Sequence, residues 1–267
     1  MAIAFDKIQR NSRISEESDR HLSRLWVLIY ILPIISLILS VGFSLVSLLS
    51  LISANNSFTS PYDFIYTDFA TEFAFLWIMF FLTFMINLVV NTVFTYLLVK
   101  RYNTHITRHL FLSENIITKI NSLAEKKGLD VETSLVSIQK IGMAANENET
   151  KKDAVLWAVL SAFIPFLSWY VYYFLMKNFY NHEHIEDGFW QDLKIVLKKL
   201  GTDFSVPRRN GVIPNRSFPL YLTLTIVTVG LFGIYWVYVL LRDPNEHFKH
   251  HLQVDKQLLA TLESATN

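Results

Sequence analysis

Four long apolar blocks constrain this chain more than any other feature. They run over residues 25–53, 73–99, 154–176 and 218–241. Each exceeds the roughly 20 residues that cross a ~30 Å hydrocarbon core, and none has the amphipathic spacing of a soluble helix. The fold class this predicts is an all-α integral membrane protein. The first block reads as a span and not as a cleaved leader. A polar segment, 1–24, precedes it, and its apolar run is longer than the roughly 7–15 residues of a signal region.

Charge sets the orientation. The leader carries Lys7, Arg10, Arg13, Arg20 and Arg24, whereas 54–71 has no basic residue, only Asp63 and Asp68. The segment 100–153 is basic again. The positive-inside rule then puts the N-terminus in the cytoplasm, the first loop outside and 100–153 inside. A conflict follows, because 177–217 is as basic as the cytoplasmic parts, with Lys177, Lys194, Lys198, Lys199, Arg208, Arg209 and Arg216. A third block that crossed would place it outside.

Breaks within the last two blocks resolve the conflict. Pro165 lies near the middle of one, Gly230 and Gly233 near the middle of the other. Proline removes a helix hydrogen bond and glycine accepts turn geometry. Split there, each block gives two arms of about 11–13 residues, about 16–20 Å long, which enter the bilayer and return. The expected arrangement is two N-terminal transmembrane helices plus two broken segments, as re-entrant hairpins or, in the alternative, kinked spans. Each is followed by an amphipathic cytoplasmic helix, and the C-terminus is cytoplasmic. The divisions are 1–24, 25–99, 100–153, 154–217 and 218–267.

Composition excludes several functions. There is no cysteine, which removes disulfides, thiolate catalysis, Fe–S clusters and Cys-type zinc sites. A net charge of +1 argues against a nucleic-acid partner. No charged residue lies deep in any block, which counts against an ion-coupled carrier. No P-loop, dinucleotide fingerprint or nucleophile elbow is present. Asn87 and Asn91 lie four apart in the second block and predict a helix–helix contact. Asn55-Asn56-Ser57 forms a sequon, and 146–153, "NENETKKD", reads as a solvated linker.

Seven of the eight histidines follow the apolar blocks in "NTHITRH" (103–109), "NHEHIED" (181–187) and "NEHFKHH" (245–251). Aligned on His105, His184 and His247, the flanking segments share apolar positions: Ile106, Ile185 and Phe248 one residue on, and Leu110, Phe189 and Leu252 five on. This predicts a threefold internal repeat. Two readings of the histidines compete. As structural joints, His105, His184, His247, Asn103 and Asn245 link each span to a surface helix, with "DPNEHF" as a turn followed by helix entry. As metal ligands, the i, i+4 pairs His105/His109 and His247/His251 share a helix face, with His182, His184 and His250 as further candidates. Glu183 and Glu186 are possible substitutes in the middle stretch. The joint is the favoured reading, with no metal, no cofactor and no catalytic residue. The second segment gives a membrane-surface helix with Ile185, Phe189, Leu193, Val196 and Leu197 toward lipid.

The stretch "RSFPLYLTLTIVTVGLFGIYWVYVLLRDPNEHF", 216–248, resembles the membrane module of the domain-of-unknown-function 4234 family of archaea and bacteria. Its pattern is a basic residue, a Thr- and Leu-rich arm, Gly-aromatic-Gly and "IYWVY". Residues 152–183 resemble a diverged copy. The resemblance implies membrane residence and donates no catalytic residue. Separately, "HITRH" and "HFKHH" resemble the histidine boxes of membrane desaturases and hydroxylases, which implies a cytoplasmic di-iron centre. "NHEHIED" departs from that pattern, with Gly188 where another ligand would stand. The resulting expectation is a non-enzymatic protein of the cell membrane that organises, curves or scaffolds the lipid bilayer within a homo-oligomer or membrane complex. The alternatives are an accessory subunit and a di-iron oxidase.

Overall fold

A computed structural model describes residues 2–54, 70–209 and 211–266. The first loop, with Asp63, Asp68 and the Asn55 sequon, lies outside the described residues. Those described form eight helices and no strand: α1 Ala2–Ser18, α2 Trp26–Ala54, α3 Ala70–Lys127, α4 Glu132–Asn148, α5 Ala154–Phe163, α6 Pro165–Lys199, α7 Phe218–Val227 and α8 Leu231–Thr266.

The apolar blocks do become helices, but they do not stop where the polar sequence begins. Helix α3 has 58 residues, about 87 Å at 1.5 Å per residue, and passes from the second apolar block straight through 100–127. Among the described residues one helical stretch, Trp77–Lys127, is long and apolar enough to cross a membrane.

The third and fourth blocks each break where a proline or glycine stands. Helix α5 ends at Phe163 and α6 begins at Pro165, with Ile164 in a non-helical conformation between them. The chain folds back there: the rings of Trp157 and Tyr170 are 5.0 Å apart, whereas 13 residues of straight helix would separate them by about 20 Å. In the fourth block Tyr221 meets Trp236 at 5.6 Å. Its turn is at Thr228–Gly230, where Gly230 has φ +92°, a conformation natural to glycine. Gly233 is not part of that break. It lies in the first turn of α8 and donates its N–H to Gly230 O.

Pro165 leaves the carbonyl of Ser161 without its i+4 donor. That carbonyl accepts from Asn91 Nδ2 of α3 at 2.8 Å, and the same amide reaches Ser168 Oγ at 3.1 Å. Asn91 is thus the helix–helix contact anticipated for this pair of amides, while Asn87 bonds within its own helix, to Thr83 O.

Pro244 behaves differently, and the expected turn at "DPNEHF" is absent. Pro244 lies inside α8. The Leu240 carbonyl that it orphans accepts from the Arg101 guanidinium, and Arg101 Nη1 also donates to Asn245 Oδ1 at 3.2 Å. Asn245 bonds both the N–H and the carbonyl of Leu22, which ties the leader to α8. Its orphaned carbonyl is satisfied from α3, as that of Ser161 is, and here α8 continues through the proline.

Helices α3, α6 and α8 therefore run side by side as three long parallel rods with two cores. The first joins Leu98, Leu175, Leu240 and Trp236 with neighbours toward the apolar end. The second joins Leu112, Ile116, Phe189, Leu193, Val254 and Leu258 at the far, polar end. Helix α1 packs along α3 and α8, and α4 packs along α6. This second core corrects the expected lipid-facing helix. Phe189, Leu193, Val196 and Leu197 are buried in it at 2 % exposure or less, because α1, α3, α4 and α8 supply the apolar partners that a bilayer had been expected to supply. Ile185 is half-buried.

Candidate metal centre

Between the two cores the interior is polar. Helix α3 contributes His105 and His109, α6 contributes His182 and Glu186, and α8 contributes His247 and His251. Each pair is spaced i, i+4 and so projects from one helix face. Counted from His105, His182 and His247 the three helices stay in step: seven residues earlier stand Leu98, Leu175 and Leu240, and seven later Leu112, Phe189 and Val254, all buried. The position equivalent to His105 and His247 is thus His182, not His184. His184 is exposed and lies over the Tyr180 ring at 6.4 Å.

Three imidazoles share one arrangement. His105 Nδ1 is 2.9 Å from Asp19 Oδ1, His182 Nδ1 is 2.6 Å from Glu149 Oε1 and His247 Nδ1 is 3.2 Å from Glu183 Oε2. A carboxylate only accepts, so each Nδ1 carries the proton and donates it. Burial raises the Asp19 pKa, but His105 and Arg108 outweigh it and hold the carboxyl well below the usual range. Glu149 is likewise lowered, with His182 overcoming burial. Burial pushes Glu183 upward, yet its Oε1 accepts from the Ile213 N–H at 2.7 Å and faces Arg209 at 3.3 Å, contacts that favour the anion.

Each Nε2 is then a lone pair, and the three converge. His105 Nε2 is 3.1 Å from His182 Nε2 and 3.2 Å from His247 Nε2. A proton on His182 would satisfy one of these contacts and leave the other as two facing lone pairs. One cation would serve all three. A tetrahedral ion about 2.0–2.1 Å from each nitrogen would set them about 3.3–3.4 Å apart, close to the observed spacing. The carboxylates behind the rings match the outer shell that orients metal-bound histidine.

Glu186 supplies oxygen to the same space. Its Oε2 is 3.6 Å from His247 Nε2 and 3.9 Å from His182 Nε2. Its Oε1 lies 2.8 Å from His251 Nε2 and accepts from the Trp190 indole. Donor atoms of His105, His182, His247 and His251 all fall within 4.8 Å of one another, and so do those of His109, Glu186 and His251. Burial pushes the His247 and His251 pKa values well below 6.5, which keeps both rings neutral and able to ligate. At His182 burial opposes charge, but Glu149 and Glu186 prevail and raise its pKa: this spot attracts positive charge.

Ion pairs close the cluster. Arg108 bonds Asp19 Oδ2 at 2.6 Å and Asp255 Oδ2 at 2.7 Å, and its carbonyl accepts from Asn11. Burial pushes the Asp255 pKa up to about 6. Arg209 faces Glu183, Glu186 and Asp187.

Of the candidate ligands, His105, His109, His182, His247 and His251 come together. His250 is buried with both ring nitrogens unpartnered, apart from these two donor groups. None of His105, His184 and His247 stands between two helices, as a joint would, because each lies inside one unbroken helix. Asn103, mid-helix in α3, donates to Lys152 O at 2.7 Å. Sequence reasoning missed Asp19, Glu149, Arg108 and Asp255. Glu149 lies in the stretch read as a solvated linker, yet it is buried. Only Glu186, four residues after His182, carried a local signal.

No curated protein and no solved structure matches this chain. The second copy anticipated at 152–183 is not part of any family match. Residues 216–263, which comprise α7 and most of α8 and so include His247, His251 and Asp255, match the family described as Domain of unknown function (DUF4234).

Proposed function

We propose that this chain is a multi-pass membrane scaffold whose cytoplasmic head holds a divalent transition-metal ion, bound by His105, His182, His247 and Glu186. The observation that carries this reading is the convergence of three imidazole Nε2 atoms at 3.1 and 3.2 Å, each with its Nδ1 tied to a carboxylate. Nitrogen and carboxylate donors without thiolate suit zinc, iron, manganese or nickel. The three histidine side chains have 0 % exposure, and closed sites of this kind are structural where catalytic ones keep an open position. Each donor histidine comes from a different long helix, so the ion would fasten the heads of all three. The lipid-shaping role expected from the sequence loses the lipid-facing helix on which it rested.

Membrane residence is supported by the long apolar stretch of α3 and by the outward Leu28, Leu39, Trp77, Phe80, Phe81 and Leu220. Helices α5 and α7 have ten residues each, about 15 Å, half the ~30 Å core. As re-entrant arms they leave both basic segments, 100–153 and 177–217, and both termini in the cytoplasm.

Elemental analysis of full-length protein purified in detergent tests the metal. We expect at least one equivalent of zinc, iron, manganese or nickel per chain, lost in the His105→Ala/His247→Ala double variant. Protein that is metal-free as purified, takes up none of these ions and melts identically with and without chelator would replace the ion by a shared proton and overturn the reading.

A further inference from the structure

We infer that the cluster is dinuclear: His109, His251 and Glu186, one helical turn beyond His105, His247 and His182, hold a second divalent first-row metal ion beside the first, with Glu186 bridging the two. The inference rests on the reading of the first ion and adds to it a site, a ligand set and a bridge.

His109 is 4 % exposed, and neither ring nitrogen has a hydrogen-bond partner. Buried imidazole normally finds a partner for at least one nitrogen, so this ring asks for an explanation. Its surroundings offer two donors of the kind a metal takes. A ligand atom of His109 lies within 4.8 Å of those of Glu186 and His251. The three residues occupy equivalent positions on α3, α6 and α8, four after His105, His182 and His247. The helices that present one triad thus carry the Cα atoms of a second about 6 Å further along by helical rise, and the donor atoms lie closer than that, since the His251 donor is within 4.8 Å of both sets.

Glu186 is placed to serve both. Its Oε2 faces the first triad, at 3.6 Å from His247 Nε2. Its Oε1 faces the second, at 2.8 Å from His251 Nε2 without the alignment of a hydrogen bond. A carboxylate with one oxygen toward each of two ions can hold them about 3.5–4 Å apart, the spacing of two-metal sites. The Trp190 indole, donating to Oε1, orients that carboxylate from behind. Two histidines and one carboxylate suit iron(II) or manganese(II) and leave coordination positions free. The first triad offers three nitrogens plus the Glu186 oxygen and is the more nearly complete of the two.

Full-length protein in detergent, stripped with chelator and reloaded with manganese(II), provides the test. Metal content and the electron paramagnetic resonance signal are read together. We expect two ions per chain with an exchange-coupled spectrum. His109→Gln should hold one ion with the six-line spectrum of isolated manganese, and Glu186→Gln should lose the coupling. One ion per chain in the unaltered protein would overturn the second site and leave the first standing. Two ions in His109→Gln would overturn the assignment of His109. No ion in the unaltered protein would remove both readings. Stoichiometry and coupling in the unaltered chain decide the matter even where a variant fails to fold.

Discussion

The two ends of the long helices are built inside out relative to one another. At the apolar end α2 and α3 turn Leu28, Leu39, Trp77, Phe80 and Phe81 outward, and the interior is loose enough to hold a cavity of about 370 Å³ beside Asn91 and Trp169. At the other end the same α3 buries His105, Arg108, His109 and Lys119. Helices packed in lipid gain little from apolar burial, since the surroundings are as apolar as the contact. On the proposed topology the head lies in water and gains from apolar burial, which the second core supplies. The head's polar interior is costly to desolvate unless each group is paired, so its cohesion depends on specific partners. The apolar end depends on its surroundings. The two ends should therefore fail separately.

Removal of metal is the strongest way to separate them. A structural ion contributes on the order of 10 kcal/mol in small zinc domains. Half of that would lower melting by roughly 10–20 °C in a chain of this size, at about 2–4 °C per kcal/mol. Chelation should abolish hydrogen-exchange protection over 100–127 and 245–262 while 77–99 stays protected. Acid should act in the same direction. Burial holds His247 and His251 well below 6.5, so below about pH 6.5 the unfolded chain takes up protons first and stability falls. Stability from these groups is complete above that pH. Uniform loss of protection along α3 would show that the two ends form one cooperative unit.

A charge on α6 sharpens the boundary between water and core. Val196 has 0 % exposure in the head's core, while its neighbour Ile195 is 53 % exposed. Val196→Asp should cost beyond about 4 kcal/mol, the range of buried unpaired charge, and Ile195→Asp within roughly 0.5. Thermal melts of both variants compare them. Were Val196 lipid-facing, its variant would release α6 from vesicles with the fold intact, and that outcome would restore the surface helix.

What the sequence made legible follows the range of the interaction. The apolar blocks, the breaks at Pro165 and Gly230 and the i, i+4 pairs are local, and they appear where expected. Pro244 shows the limit: one proline, Pro165, breaks its block while Pro244 is carried inside α8, although in both places a side chain of α3, far away in sequence, takes the freed carbonyl. The register between segments was misread by two residues for a similar reason. His184 and His182 both match a histidine in the flanking pattern, and only the inward face, fixed by Leu175 and Phe189 against the other helices, distinguishes them. Asp19 and Glu149 come from a leader and a linker with no periodicity to announce them.

The smallest test concerns the apolar end's own polar contact. Asn91 and Asn87 lie one turn apart in α3 and look equivalent in sequence. Only Asn91 reaches across, to the Ser161 carbonyl that Pro165 leaves free, whereas Asn87 bonds the carbonyl of Thr83 in its own helix. Removing the first leaves that carbonyl only the long 3.4 Å contact from Ser168 Oγ, and an apolar setting offers no other donor. Polar contacts between membrane helices contribute about 0.6 kcal/mol on average and reach about 1.7, and the absence of any backbone substitute puts this one toward the upper figure. Asn91→Ala should therefore destabilise by about 1–1.5 kcal/mol in reversible detergent unfolding, and Asn87→Ala by a few tenths at most. The loss should appear in exchange at 154–170 and not in the head. Equal effects from the two alanines would mean that α3 does not brace the break at Pro165. The fold-back of α5 on α6 would then rest on the tilted Trp157–Tyr170 ring contact and its apolar neighbours alone.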